Sequence, residues 1–121
     1  MRDDRRHGLT TAFQVIRARI HKDPRFMALR ATLVERIAVT WAAQASAAAF
    51  HAAGGRSTLA EHELSAFLAA HPDVTVDLGS KLIPMTFADV IRQDFAIIQN
   101  DARWREGALR APCPASEVNH G

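Results

Sequence analysis

Residues 37–53, the run IAVTWAAQASAAAFHAA, carry no charge and nine alanines, and Gly54-Gly55 stands directly behind them. Alanine is the strongest helix former and leaves little side chain on the surface, so a helix made of such a run admits a neighbouring helix close to its backbone. No breaker interrupts the chain between Pro24 and Gly54. The stretch therefore predicts one long Ala-rich helix over 24–53, about 45 Å at 1.5 Å per residue. That overreaches a 121-residue domain, whose radius of gyration should be about 14 Å. Part of it is expected to lie against a second copy, another protein or solvent.

The chain has 48% hydrophobic and 23% charged residues, enough for one globular domain with its own core. Its single cysteine, Cys113, excludes an intrachain disulfide and a Cys-based zinc site. The opening MRDDRRHG is basic like the start of a secretory signal, but Gln14, Arg17 and Arg19 break up the apolar residues that follow. A cytoplasmic protein is expected. The Ala-rich run is interrupted by Thr40, Gln44, Ser46 and His51, and a membrane span needs about 20 predominantly apolar residues. No membrane partner is expected.

The periodicity predicts an all-α, four-helix bundle-like fold with helices near 10–21, 24–53, 58–71 and 86–106. Leu9, Phe13, Ile16 and Ile20 make the apolar stripe of the first helix, and Asp23-Pro24 supplies an N-cap and a first-turn proline for the second. Thr58 with Glu61, and Thr86 with Asp89, have the form of capping boxes. Gly107 reads as the stop of the last helix. Between 74 and 83, Val74, Val76 and Leu78 alternate with polar residues before Gly79-Ser80, the pattern of a small β-hairpin. The domain layout is then a flexible basic N-terminus at 1–9, a helical domain at 10–107 and a loosely ordered tail at 108–121. Phe13, Ile16, Leu33, Ile37, Trp41, Val90, Ile91 and Phe95 are the expected core contacts between helices.

Catalytic signatures are missing: there is no Gly-x-Ser-x-Gly, no His-Glu-x-x-His, no phosphate-binding Gly-x-x-x-x-Gly-Lys and no Gly-rich dinucleotide turn. No cofactor is expected. Cys113 sits between two prolines with no local group to activate its thiol. No two of the six histidines are four apart, the spacing that places two zinc ligands on one helix face. A metal or acid–base site would need His62, flanked by Glu61 and Glu63, to meet His51 or His71 across the Gly54-Gly55 turn. Asp89, Asp94 and Asp101 with Arg92, Arg103 and Arg105 read as the solvated face of the last helix, with Asp101 and Arg105 at pairing distance in sequence.

Charge divides the chain. Residues 1–36 hold nine Lys or Arg against four acids, a net of +5, while 37–121 carry a net of −3. Arg17, Arg19, Lys22, Arg25 and Arg30 are the candidate contacts for an anionic partner, either nucleic acid or an acidic protein face. The same residues are equally the solvated sides of two amphipathic helices.

The expectation is a non-enzymatic regulator or adaptor acting by protein contact, for instance an antagonist of a transcription factor. Its partner, or a second copy in a homodimer, would lie on Trp41, Ala42, Ala45, Ser46, Ala49 and Ala53. A nucleic-acid-binding regulator and a small His-dependent metal-binding protein or enzyme are the alternatives.

Overall fold

Asp23 and Pro24 separate the first two helices as their chemistry requires. The Asp23 carboxylate accepts from the Arg25 amide at 2.9 Å, and Pro24 occupies the first helical position, where a missing N–H costs nothing. The computed structural model describes residues 2–111, with side chains from residue 11 onward. These residues form six α-helices: α1 (Arg2–Lys22), α2 (Pro24–Ala42), α3 (Ala47–Ala52), α4 (Arg56–Ala70), α5 (Phe87–Gln93) and α6 (Phe95–Arg110). A 3-10 turn spans Pro72–Thr75. The fold is all-α, and no helix among the described residues is long and apolar enough to cross a membrane.

Helix α2 is the central element. Phe26, Leu29, Leu33, Ile37 and Trp41 recur at three- and four-residue spacing, are all buried, and pack against α6, α4 and α1. Opposite them lie Ile98 of α6, Phe67 of α4, and Ile16 and Ile20 of α1. Ala38, Ala60 and Ala102 are fully buried, and their small side chains let the helix backbones approach. Phe87 closes the core from α5, with its ring 5.6 Å from that of Phe26 in an edge-on arrangement. Of the expected core, Ile16, Leu33, Ile37, Trp41, Val90 and Ile91 are buried and Phe95 partly so, but Phe13 is 38% exposed.

The long helix expected over 24–53 is two helices. Helix α2 ends at Ala42, and α3 starts at Ala47 after an extended Ser46 (φ −159°, ψ 168°). One local and two tertiary hydrogen bonds make the break without glycine or proline. The Ser46 hydroxyl accepts from the Ala49 amide at 3.2 Å, a helix N-cap. From the far end of α6, Arg110 Nη2 donates to the Trp41 and Gln44 carbonyls at 2.7 and 3.0 Å. Both carbonyls lie at the end of α2 or just past it, where the amide four residues on does not reach them; that of Trp41 also accepts from the Gln44 amide at 3.1 Å, the tightened bond of a helix end.

The last predicted helix is also divided. Asp94, with φ −93° and ψ 7°, separates α5 from α6, and its carboxylate is buried against α1. Helix α6 passes through Gly107 to Arg110, because Gly107 keeps a helical backbone; positive φ occurs only at Gly54 (96°) and Gly55 (98°) among the described residues. Gly54 and Gly55 start α4 at Arg56, two residues before the expected Thr58, whose hydroxyl instead donates to the Gly54 carbonyl at 2.8 Å. The Thr86–Asp89 capping box is present in both directions.

Residues 74–83 contain no strand; one isolated antiparallel bridge joins Asp77 to Thr86. Asp77 Oδ1 accepts from the amides of Gly79 and Met85 at 2.7 and 2.9 Å. A Cβ on Gly79 would meet the Ile83 carbonyl at 2.1 Å, so the turn requires glycine. The backbone of α1 starts at Arg2 rather than Thr10, and the tail from 112, including Cys113, lies outside the described residues.

Candidate functional site

The break between α2 and α3 turns the last turns of α6 into one wall of a cleft of about 630 Å³. Gln44, Ser46, Ala47 and Phe50 form the facing wall, and Arg56, Arg103, Glu106 and Arg110 supply its charge. Three guanidinium groups thus share the cleft with one carboxylate.

Glu106 organises two of the three. Its side chain is 4% exposed; Arg56 pairs with Oε1, and Arg110 Nε donates to Oε2 at 2.7 Å from one helical turn away. Burial alone would raise the Glu106 carboxyl, but the hydrogen bonds from Arg56 and Arg110 and their charges outweigh it and hold it below the ordinary glutamate range. Arg56 is pinned further. Its guanidinium carbon lies 4.2 Å from the Phe50 ring centre and 5.2 Å from that of Trp41, and its carbonyl accepts from Trp41 Nε1 at 3.0 Å.

Arg103 differs from both. It makes no ion pair or hydrogen bond among the described residues and is exposed. It lines the main cleft, an adjoining one of about 230 Å³ beside Trp41, Arg56 and Asn100, and a third of about 320 Å³ beside Asn100, Trp104 and Gly107. Trp104, the next residue, is 77% exposed. The arrangement suits an elongated anionic ligand with an apolar element: Arg103 is free to pair, Arg56 and Arg110 keep part of their surface in water, and Trp104 offers an uncovered ring.

The residues of the expected contact ridge do not lie on one helix. Trp41 is inside the fold, Ala42 ends α2, Ala45 and Ser46 are exposed in the joint, Ala49 is on α3 and Ala53 caps it. With the helix broken, helical spacing no longer sets their common face. Ser46 nevertheless lines the main cleft, and Trp41 the adjoining one.

The basic first third is largely committed to the fold. Arg17 pairs with Asp94, Arg25 with Asp23 at 2.8 Å and Arg30 with Asp101 at 2.6 Å. Arg19 and Lys22 are exposed with no ion pair among the described residues. Asp101 therefore does not pair with Arg105, which reaches Glu35 at 2.7 Å and is raised above the usual arginine value by that bond. His51 and His62 are exposed, and the His71 ring lies 4.2 Å from that of Phe67. Among the described residues no group of three His, Cys, Asp or Glu side chains is placed to hold a metal ion.

The cleft residues Arg56, Arg103, Glu106 and Arg110 were not singled out by the sequence pattern as a site. Glu106 and Arg110 are four apart, the one legible signal. Comparisons with models of known families, with curated proteins and with solved structures give no match.

Proposed function

We propose that this protein is a non-enzymatic adaptor or regulator that works by protein contact and takes an acidic segment of a partner protein along the arginine-lined cleft between α3 and α6. The observation that carries this reading is Arg103: a guanidinium without a partner among the described residues where three cavities meet, next to an exposed tryptophan. Arginine and tryptophan dominate the energetics of protein contacts, and an unpaired guanidinium gains most from a carboxylate. Ile97, 55% exposed two turns before Trp104, extends the apolar side of the same helix face. A protein rather than a nucleic-acid partner is favoured because Arg17, Arg25 and Arg30 already have acidic partners within the chain.

The test is fluorescence anisotropy with a labelled peptide of alternating Glu and Phe, a Lys-substituted control and a labelled DNA duplex. The acidic peptide should bind with an affinity that falls as salt rises, and Arg103→Glu should weaken it by roughly tenfold or more without changing the unfolding midpoint. Equal binding by wild type and Arg103→Glu, or binding of the duplex in preference to the peptide, overturns the reading. Sedimentation of the free protein shows whether a second copy already covers this face.

A further inference from the structure

The two carbonyls that Arg110 occupies are those of Trp41 and Gln44. In an uninterrupted α-helix each carbonyl accepts from the amide four residues on, which here belongs to Ala45 and Ala48. Arg110 thus stands where the Ala48 amide would bond Gln44, and shares the Trp41 carbonyl with the Gln44 amide at 3.1 Å in place of the Ala45 amide. On the other side of the joint, the amides of Ala45, Ser46, Ala47 and Ala48 have no acceptor among the described residues, and all four residues are exposed. Nothing in the local sequence forbids helix there: four of the five residues from 44 to 48 are Gln or Ala, and the other, Ser46, is tolerated within helices.

The geometry points to a two-state joint: Arg110 holds α2 and α3 apart, and when Arg110 withdraws, the two join into one helix over 24–52. Gly54 and Gly55, without a Cβ, have the backbone freedom for α3 to swing relative to α4, and the bonds of their amides to the His51 and Phe50 carbonyls at 3.0 and 2.8 Å rearrange as it does. The swing lifts Phe50 from the Arg56 guanidinium and removes the Ser46 and Ala47 wall, so the joined state has an opened cleft. An acidic segment that recruits Arg110 then favours the joined helix, and the joined helix favours the segment. This coupling rests on the reading of the cleft as a site for acidic segments; the joint itself does not.

Amide hydrogen exchange of the whole protein tests both. In Arg110→Met, which keeps the stem and removes the donors, the amides of Ala45 to Ala48 should exchange roughly tenfold more slowly than in wild type. Ser46→Ala, a change at an exposed cap, should shift them the same way and decides the matter if Arg110→Met does not fold. Unchanged or faster exchange at these amides in the folded variants overturns the joint. Adding heptaglutamate to wild type should slow the same amides. Binding of that peptide by anisotropy with no slowing overturns the coupling, whereas absence of binding removes the acidic-segment reading and leaves the variants to judge the joint.

Discussion

Trp41 Nε1 donates to the carbonyl of Arg56 at 3.0 Å while the Arg56 guanidinium lies 5.2 Å from the centre of the same indole. One side chain at the end of α2 therefore fixes both the backbone start of α4 and the charged group that α4 sends to Glu106. Trp41→Phe keeps most of the ring and removes the donor, leaving the Arg56 carbonyl short of a partner. It should cost about 1 to 3 kcal/mol, whereas Trp41→Ala should cost about 3 to 5 kcal/mol through the cavity it leaves. Urea denaturation of the two variants separates the hydrogen bond from the packing.

Glu106 should make stability sensitive to acid. Its carboxyl is held below the ordinary value of 4.5 in the folded protein, so its contribution is complete above that value and disappears as pH falls through the lower folded-state value. Glu106→Gln should cost about 2 kcal/mol at neutral pH, less than for a fully buried pair because Arg56 and Arg110 keep part of their surface in water. In strong acid the wild type should approach the variant. Unfolding free energies measured from neutral to strongly acidic pH will show convergence, or parallel curves if Glu106 plays no such part.

Asp94 anchors α1. It sits between α5 and α6 with a side chain 4% exposed, paired with Arg17 and 2.6 Å from His21 Nε2. Asp94→Ala removes the acceptor of both and should destabilise the protein by about 2 to 4 kcal/mol. Because these contacts come from α1, trypsin should cut first after Arg17, Arg19 or Lys22 in the variant under conditions where wild type resists. First cleavage at a lysine or arginine beyond Lys22 would place the weak point outside α1.

Much of the scaffold was legible because its signals are local. Asp23-Pro24 and the Thr86–Asp89 box act within four residues, and the stripe Leu33, Ile37 and Trp41 follows helical spacing. The joint at 43–46 was not, because the group that stabilises it, Arg110, lies 69 residues from Trp41 in sequence. The same holds for the Asp94 junction, whose partners Arg17 and His21 are 77 and 73 residues away. The cleft inherits this blindness: it joins residues 44–56 to residues 103–110, and only the Glu106–Arg110 spacing marks it in the sequence. Thr58 and Glu61 carried a true capping pattern that the Gly54-Gly55 turn pre-empted.

Ile37 and Phe13 test the core from opposite sides. Ile37 is fully buried on α2, so Ile37→Ala should cost about 2 to 5 kcal/mol. Phe13 keeps 38% of its surface exposed, and Phe13→Ala should stay within about 1 kcal/mol. A loss at Phe13 equal to that at Ile37, read from thermal unfolding, would mean that α1 buries its first apolar residues more deeply than they lie here.

Trp104 is the residue whose substitution should divide binding from stability most cleanly. At 77% exposure it contributes little packing, so Trp104→Ala should leave the unfolding midpoint within about 0.5 kcal/mol of wild type. If an acidic segment lies beside Arg103, the indole covers its apolar part, and truncation should weaken binding of the Glu/Phe peptide by roughly tenfold, the scale of a contact worth about 1.4 kcal/mol. The salt dependence should remain, because the guanidinium groups are untouched, whereas Arg103→Glu should flatten it. Anisotropy titrations of both variants at low and high salt distinguish these effects. Loss of salt dependence in Trp104→Ala, or unchanged affinity in that variant, would show that the bound segment does not run along this face of α6.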